Sequence, residues 1–188
     1  MSQDEKRKKK FAKIVLAYPF ALILIGLAMN FLLFGVQPAA VALPTLAIIA
    51  ALASSAILLL ANHTWLMTST ELVRLQHNMH ATPEEWNESE HSITDVSNEG
   101  LRELERRHNA HRNATENVVH FVFLAMLVSI ISPVTIAAQV WIVGFAIGRL
   151  GHTFSYLTGR DGARGLFMSV SLVSLYGLAS YLVISLIV

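Results

Sequence analysis

Two apolar stretches of this 188-residue chain carry, at one end, residues that could grip an anion or a proton donor. The first is Glu105-Arg106-Arg107-His108-Asn109-Ala110-His111-Arg112-Asn113-Ala114-Thr115-Glu116, which leads straight into an apolar segment. On a helix, Glu105, Asn109, Arg112, Asn113, Glu116 and His120 share one face, an arc of about 100°. The second contains Arg149, His152, Thr153, Tyr156 and Arg160 on a comparable arc. Ionisable groups inside a membrane span are costly and normally face a bundle interior or a wet cavity. Glu116 could pair with Arg112 one turn back, or with Arg149 on a neighbouring helix, as structural glue. Cations outnumber anions, however. Arg112, Arg149 and Arg160 meet only Glu105 and Glu116, and Arg74 and Arg164 lie at the same depth. Such a surplus suits a small zwitterion rich in carboxylates. Arginine grips carboxylates bidentately, and Glu116 could take an ammonium.

The distribution of charge shows which elements must position these residues. Ile14–Thr70 has 57 residues without Lys, Arg, Asp or Glu, Asn117–Gly148 has 32, and Gly165–Val188 has 24. A helix crosses a bilayer core in about 20 residues. A lipid-exposed backbone must satisfy its own hydrogen bonds, so these runs are predicted to be helices. Breaks at Gly35-Val36-Gln37-Pro38, Pro44 and Ser132-Pro133 divide them. Spans are predicted near Lys13–Val36 and Leu43–Ala61, the latter continuing as helix to Gln76. Others end near Ile131, run over Val134–Leu157, and cover Ala163–Ile187. The organisation is a basic stretch at 1–12, an additional span at 13–36, and a four-helix unit at 43–188 with a loop at 77–98. In that loop Thr82-Pro83-Glu84-Glu85 has the form of a capping box.

Lys6, Arg7, Lys8, Lys9, Lys10 and Lys13 precede the first span, and the loops at 37–42 and 132–133 hold no charge. The positive-inside rule then puts the amino terminus in the cytoplasm. A bacterial inner membrane is favoured over the endoplasmic reticulum. The first span could also be a signal peptide, but its apolar region is longer than a normal signal core. It reads as a retained helix.

Composition excludes several classes. Charged residues make up 14% of the chain and hydrophobic ones 54%, against about 25% charged in a soluble domain. The net charge of +1 offers no field for nucleic acid. There is no cysteine, hence no protein thiolate. A di-iron bundle uses Glu-x-x-His motifs plus further carboxylates inside its helices; Glu105–His108 has that spacing but lies outside the apolar stretch, so no metal is expected. Neither a Gly-x-Ser-x-Gly element nor a Gly-rich phosphate loop appears.

Three blocks together resemble a known family. Ala110-His111-x-Asn113-x-x-Glu116 is similar to the signature of the membrane-associated proteins in eicosanoid and glutathione metabolism, the MAPEG family. Leu72-Val73-Arg74-Leu75 followed by Thr82-Pro83-Glu84-Glu85 resembles the end of that family's first helix and its loop. Gly148-Arg149-x-x-His152-Thr153-x-x-Tyr156-Leu157 resembles its third helix, most nearly in the microsomal prostaglandin E synthase and glutathione transferase branches. The likeness covers roughly residues 45–188. It implies an all-α integral membrane fold, a four-helix bundle plus one extra N-terminal helix, assembled as a homotrimer.

By the same resemblance, glutathione is the cofactor, bound between subunits near the cytoplasmic face. Arg74, Arg112, Asn113, Glu116, His152 and Tyr156 would hold it, and Arg149 would support them. Arg164 would sit by the thiol and favour the thiolate. The partners would be membrane lipids and a lipophilic substrate. Asn109, Ala114, Gly165 and Met168 depart from the family's usual residues. The implied activity is therefore a general glutathione transferase or peroxidase. The alternative is a non-catalytic lipid- or glutathione-binding scaffold of the same fold. A channel would carry polar residues along whole spans, and Ser169–Val188 is mostly apolar.

Overall fold

The computed structural model describes residues 2–188. The described residues form six α-helices: α1 (Gln3–Met29), α2 (Leu46–Gln76), α3 (Pro83–Glu88), α4 (Asn98–Ile130), α5 (Thr135–Leu157) and α6 (Asp161–Ser185). α1 passes directly into a π-helical turn at Asn30–Phe34. No strand occurs among the described residues. The helices begin where side-chain caps allow. Thr45, Thr82 and Ser97 each accept a hydrogen bond from a backbone N–H of the first turn, which satisfies donors that a helix start leaves open. Ser2 and Glu5 form a capping box, so α1 starts well before Lys13. The basic residues are thus helical too, and the change in charge marks a change of surroundings rather than a helix end.

By length and composition, Gln3–Phe34, Leu46–Gln76, Asn98–Ile130 and Asp161–Ser185 could each cross a membrane. The chain is a multi-pass membrane protein of all-α class. α5 is apolar over most of its length but carries polar residues within it. Its 23 residues would extend about 35 Å, but they include Gln139, Arg149 and His152. The packing explains how they are tolerated. α5 lies between α2 and α6 with α4 alongside, so protein surrounds what lipid would reject. Phe121 and Phe145 stack at 4.1 Å between centroids, and Trp141, Leu178 and Tyr181 are buried around them.

The first helix docks on α6 and runs parallel to it. Tyr18 lies 2.8 Å from Ser169 through their hydroxyls near one end, and Asn30 reaches Gly177 and Ser180 near the other. Asn30 is fully buried. Its Nδ2 donates to the Gly177 carbonyl and to Ser180 Oγ, both at 2.9 Å, and its Oδ1 accepts from Trp141 Nε1 at 2.8 Å. Gly177 makes this approach possible, because a Cβ there would lie 2.5 Å from the Trp141 ring.

The end of the bundle that holds no charge is sealed by backbone. After the π turn, the linker N–H groups of Ala39, Ala40 and Ala42 donate to the carbonyls of Ser185, Ile131 and Ile130. These carbonyls close α4 and α6, where no helical partner remains. The Tyr181 hydroxyl accepts from the Val134 N–H at 2.8 Å at the start of α5. Replacing Asn30→Ala should lower thermal stability in detergent. The Trp141 N–H loses its acceptor, a cost of ~1–3 kcal/mol for an unsatisfied buried donor, and an unchanged unfolding temperature would contradict the role given to Asn30.

Candidate functional site

Arg149 is the deepest charge in the fold. Its side chain is 0% exposed, yet no carboxylate lies within ion-pair distance among the described residues. One Nη donates to Asn113 Oδ1 at 2.7 Å and the other approaches Met168 Sδ at 3.5 Å. Its Nε has no partner. Three helices meet here, with Asn113 from α4, Arg149 from α5 and Met168 from α6. The glycines beside the polar residues let α6 come close. A Cβ on Gly148 would lie 2.7 Å from the Ser171 nitrogen, and one on Gly151 would lie 2.3 Å from the Phe167 ring.

One turn further along α5 the site continues toward the charged end. His152 is buried and its Nδ1 has no partner. Its ring lies 5.7 Å from that of Tyr156, and the Arg164 guanidinium stands 5.0 Å from the Tyr156 ring centroid. That distance is within cation–π range. Arg164 also pairs with Asp161 at 3.2 Å. Tyr156 and Arg164 then open into a polar cavity of about 430 Å³, whose other walls include Arg102, Glu105, Arg106 and Asn109. Within one chain, the fold thus brings Asn113 to Arg149, and His152, Tyr156 and Arg164 to one another.

Three sequence-derived candidates point elsewhere. Arg74 pairs with Glu71 at 2.5 Å and lies 3.4 Å from His108. Arg112 and Glu116 are exposed on α4 and form no ion pair among the described residues. Neither internal pairing open to Glu116, with Arg112 or with Arg149, is formed.

Several residues of the site were not singled out from sequence. Arg102 and Arg106 are not among the sequence candidates, although their i,i+4 spacing sets them on one helix face. Asp161 shows as an acid in the first turn of α6, which is a clue to a partner for Arg164. Nothing in the sequence indicated that Met168 faces Arg149. The histidines also regroup. His111 meets His63 across α2 and α4, with 5.2 Å between ring centroids.

Residues 50–184 match the profile of the MAPEG family. The chain belongs to the MAPEG family. The match takes in α5 and α4 whole and nearly all of α2 and α6, and leaves out α1. Prostaglandin E synthase from Equus caballus is 38% identical to the chain over 56 residues, which is 30% of this chain and 37% of that protein. The chain thus aligns with just over a third of that MAPEG relative's length.

The way Arg149 is held makes two substitutions diverge. Arg149→Met removes a buried charge that lacks an acid, so thermal stability should hold or rise. Asn113→Ala leaves the guanidinium without its oxygen acceptor and should cost ~1.5–3 kcal/mol, the range for a hydrogen bond to a charged group. Thermal unfolding of both variants in the same detergent checks the contrast.

Proposed function

We propose that this protein is a glutathione-dependent membrane enzyme acting on lipophilic electrophiles or lipid hydroperoxides, as a homotrimer with its site between subunits. The observation that carries the proposal is the unmatched charge. Arg149 lies buried without a carboxylate, while Arg112 and Glu116 face outward without ion partners. Membership of a family of membrane proteins in glutathione metabolism gives that pattern a ligand. Arg149 Nε and His152 Nδ1, both buried and unpartnered, fit a polar guest that adds acceptors and donors.

In this reading the residues divide the work by position. Arg74 and Arg112 bind carboxylates from the outward faces, and Glu116 takes the ammonium of the same ligand. Asn113, His152 and Tyr156 meet its peptide backbone. Arg149 holds Asn113 in place from behind. Glutathione supplies the thiol nucleophile. Arg164 sits at the mouth and stabilises the thiolate, since a neighbouring cation favours the charged form of a thiol. The amino terminus and charged loops face the cytoplasm, where glutathione is met, and a bacterial inner membrane suits this orientation.

The Arg164–Asp161 pair supports one further reading, a scaffold that binds glutathione or lipid without turnover. An acid on the guanidinium weakens its hold on a thiolate. Conjugation of glutathione to chlorodinitrobenzene separates the two readings.

Calorimetry on purified protein should give saturable glutathione binding. Glu116→Gln should raise the dissociation constant about tenfold or more, the scale of a lost charged hydrogen bond of ~1.5–3 kcal/mol. Arg164→Ala should bind glutathione but lose the ultraviolet absorbance of its thiolate. No heat of binding in the wild-type protein would sink the proposal. A thiolate signal that survives Arg164→Ala would remove Arg164 from it.

A further inference from the structure

A second cavity, of about 360 Å³, lies between α2 and α4 and shares no residue with the polar cavity beside Arg164. Leu59 and Val118 are among its apolar walls, and no Lys, Arg, Asp or Glu lines it. Its polar side chains are Asn62 and His63 from α2 and His111 and Thr115 from α4. Asn62 is 2% exposed, and its Oδ1 is buried without a hydrogen-bond partner. The two imidazoles lie 5.2 Å apart between ring centroids, and neither forms a hydrogen bond among the described residues. They come from separate helices, so no sequence spacing announces the pair. His111 stands next to Arg112, at the end of the bundle where charge begins, so the cavity can be reached from water. Arg107, one turn nearer that end, is already paired with Glu103.

We infer that His63 and His111 bind one divalent transition-metal ion of the zinc class between α2 and α4, with Asn62 accepting from a water on that ion. The spacing of the rings carries the inference. Two imidazoles on one tetrahedral ion, each with a bond of about 2.0–2.1 Å, place their ring centres about 5 Å apart. The last torsion of histidine is broad, so each ring can turn a nitrogen toward the ion. Water fills the two remaining positions, as in zinc sites that stay open. One such water donates to Asn62 Oδ1, which otherwise stays buried and unsatisfied. Another donates to Thr115 Oγ1, whose own hydrogen goes to the His111 carbonyl at 3.0 Å. Imidazole selects zinc, copper or nickel, whereas magnesium and calcium prefer oxygen ligands. An edge-to-face contact would also suit the rings, since such pairs stand about 4.5–7 Å apart, but it leaves the Asn62 oxygen orphaned. The bound ion would tie α2 to α4. The inference is independent of the glutathione reading, which uses neither histidine.

The test uses tag-free, full-length protein in detergent, stripped with a chelator and kept free of glutathione, whose thiol would compete for zinc. Titration with zinc chloride should show a saturable site that takes one ion per chain. Cobalt(II) should develop the visible absorption of a tetrahedral ion at the same stoichiometry. His63→Gln and His111→Gln should each abolish this site, while His91→Gln, in the loop after α3, should leave it unchanged. Asn62→Leu should keep the site but weaken zinc about tenfold, the scale for losing an outer-shell partner. Saturating zinc should raise the unfolding temperature of the wild type and not that of His63→Gln, since a ligand stabilises only the state that binds it. If one glutamine variant does not fold, the other decides. Three results would overturn the inference: no saturable binding, a site that survives either glutamine variant, or equal binding of magnesium. The rings would then be an edge-to-face contact and nothing more. Because glutathione is absent throughout, these outcomes stand apart from the calorimetric test of the glutathione site.

Discussion

Arg149 must be solvated by protein groups, because no carboxylate reaches it among the described residues. The arrangement around it follows from that need. The polar face of α5 cannot meet lipid and is therefore enclosed by α2, α4 and α6. α4 must offer a neutral oxygen at the right height, which is Asn113. α6 must come close enough for Met168 to touch the guanidinium, which requires the small faces of Gly148 and Gly151. A charge held by one amide and one thioether retains most of its attraction for an anion. A full salt bridge would have cancelled it.

The extra helix obeys a different constraint. α1 is apolar enough to sit in lipid alone, so hydrophobicity gives it no reason to choose one neighbour. A single amide supplies the choice. Asn30 fills its donors and its acceptor on α5 and α6, and the same contact fixes the height of α1 against α6. The linker that follows then closes two helix ends with its own N–H groups. α1 is therefore part of the bundle's architecture even though it lies outside the residues that match the family.

Much of this architecture is readable from local signals. Pro133 and Ser132 end α4, Pro44 and Thr45 start α2, and Thr82 with Glu85 caps α3, because caps and prolines act within one turn. The shared faces of α4 and α5 are also readable, since helical periodicity alone sets them. What periodicity leaves open is how two helices are rotated against each other. Arg149 therefore finds Asn113 rather than Glu116, and Arg74 finds Glu71 within its own helix. Asn30 appears in sequence as one polar residue in an apolar run. Its partners lie more than a hundred positions away, beyond the reach of any local pattern.

That separation has a bearing on how the chain is made. α1 emerges before α6 and enters the bilayer with the Asn30 amide facing hydrocarbon. Its acceptor at Gly177 is 147 residues downstream and does not yet exist. Until α6 is inserted, the nascent helix has to satisfy that amide on its own backbone or on a passing lipid. α1 can therefore reach its seat only after α6 is inserted, and the same arrival gives the Ala39 N–H its acceptor at Ser185.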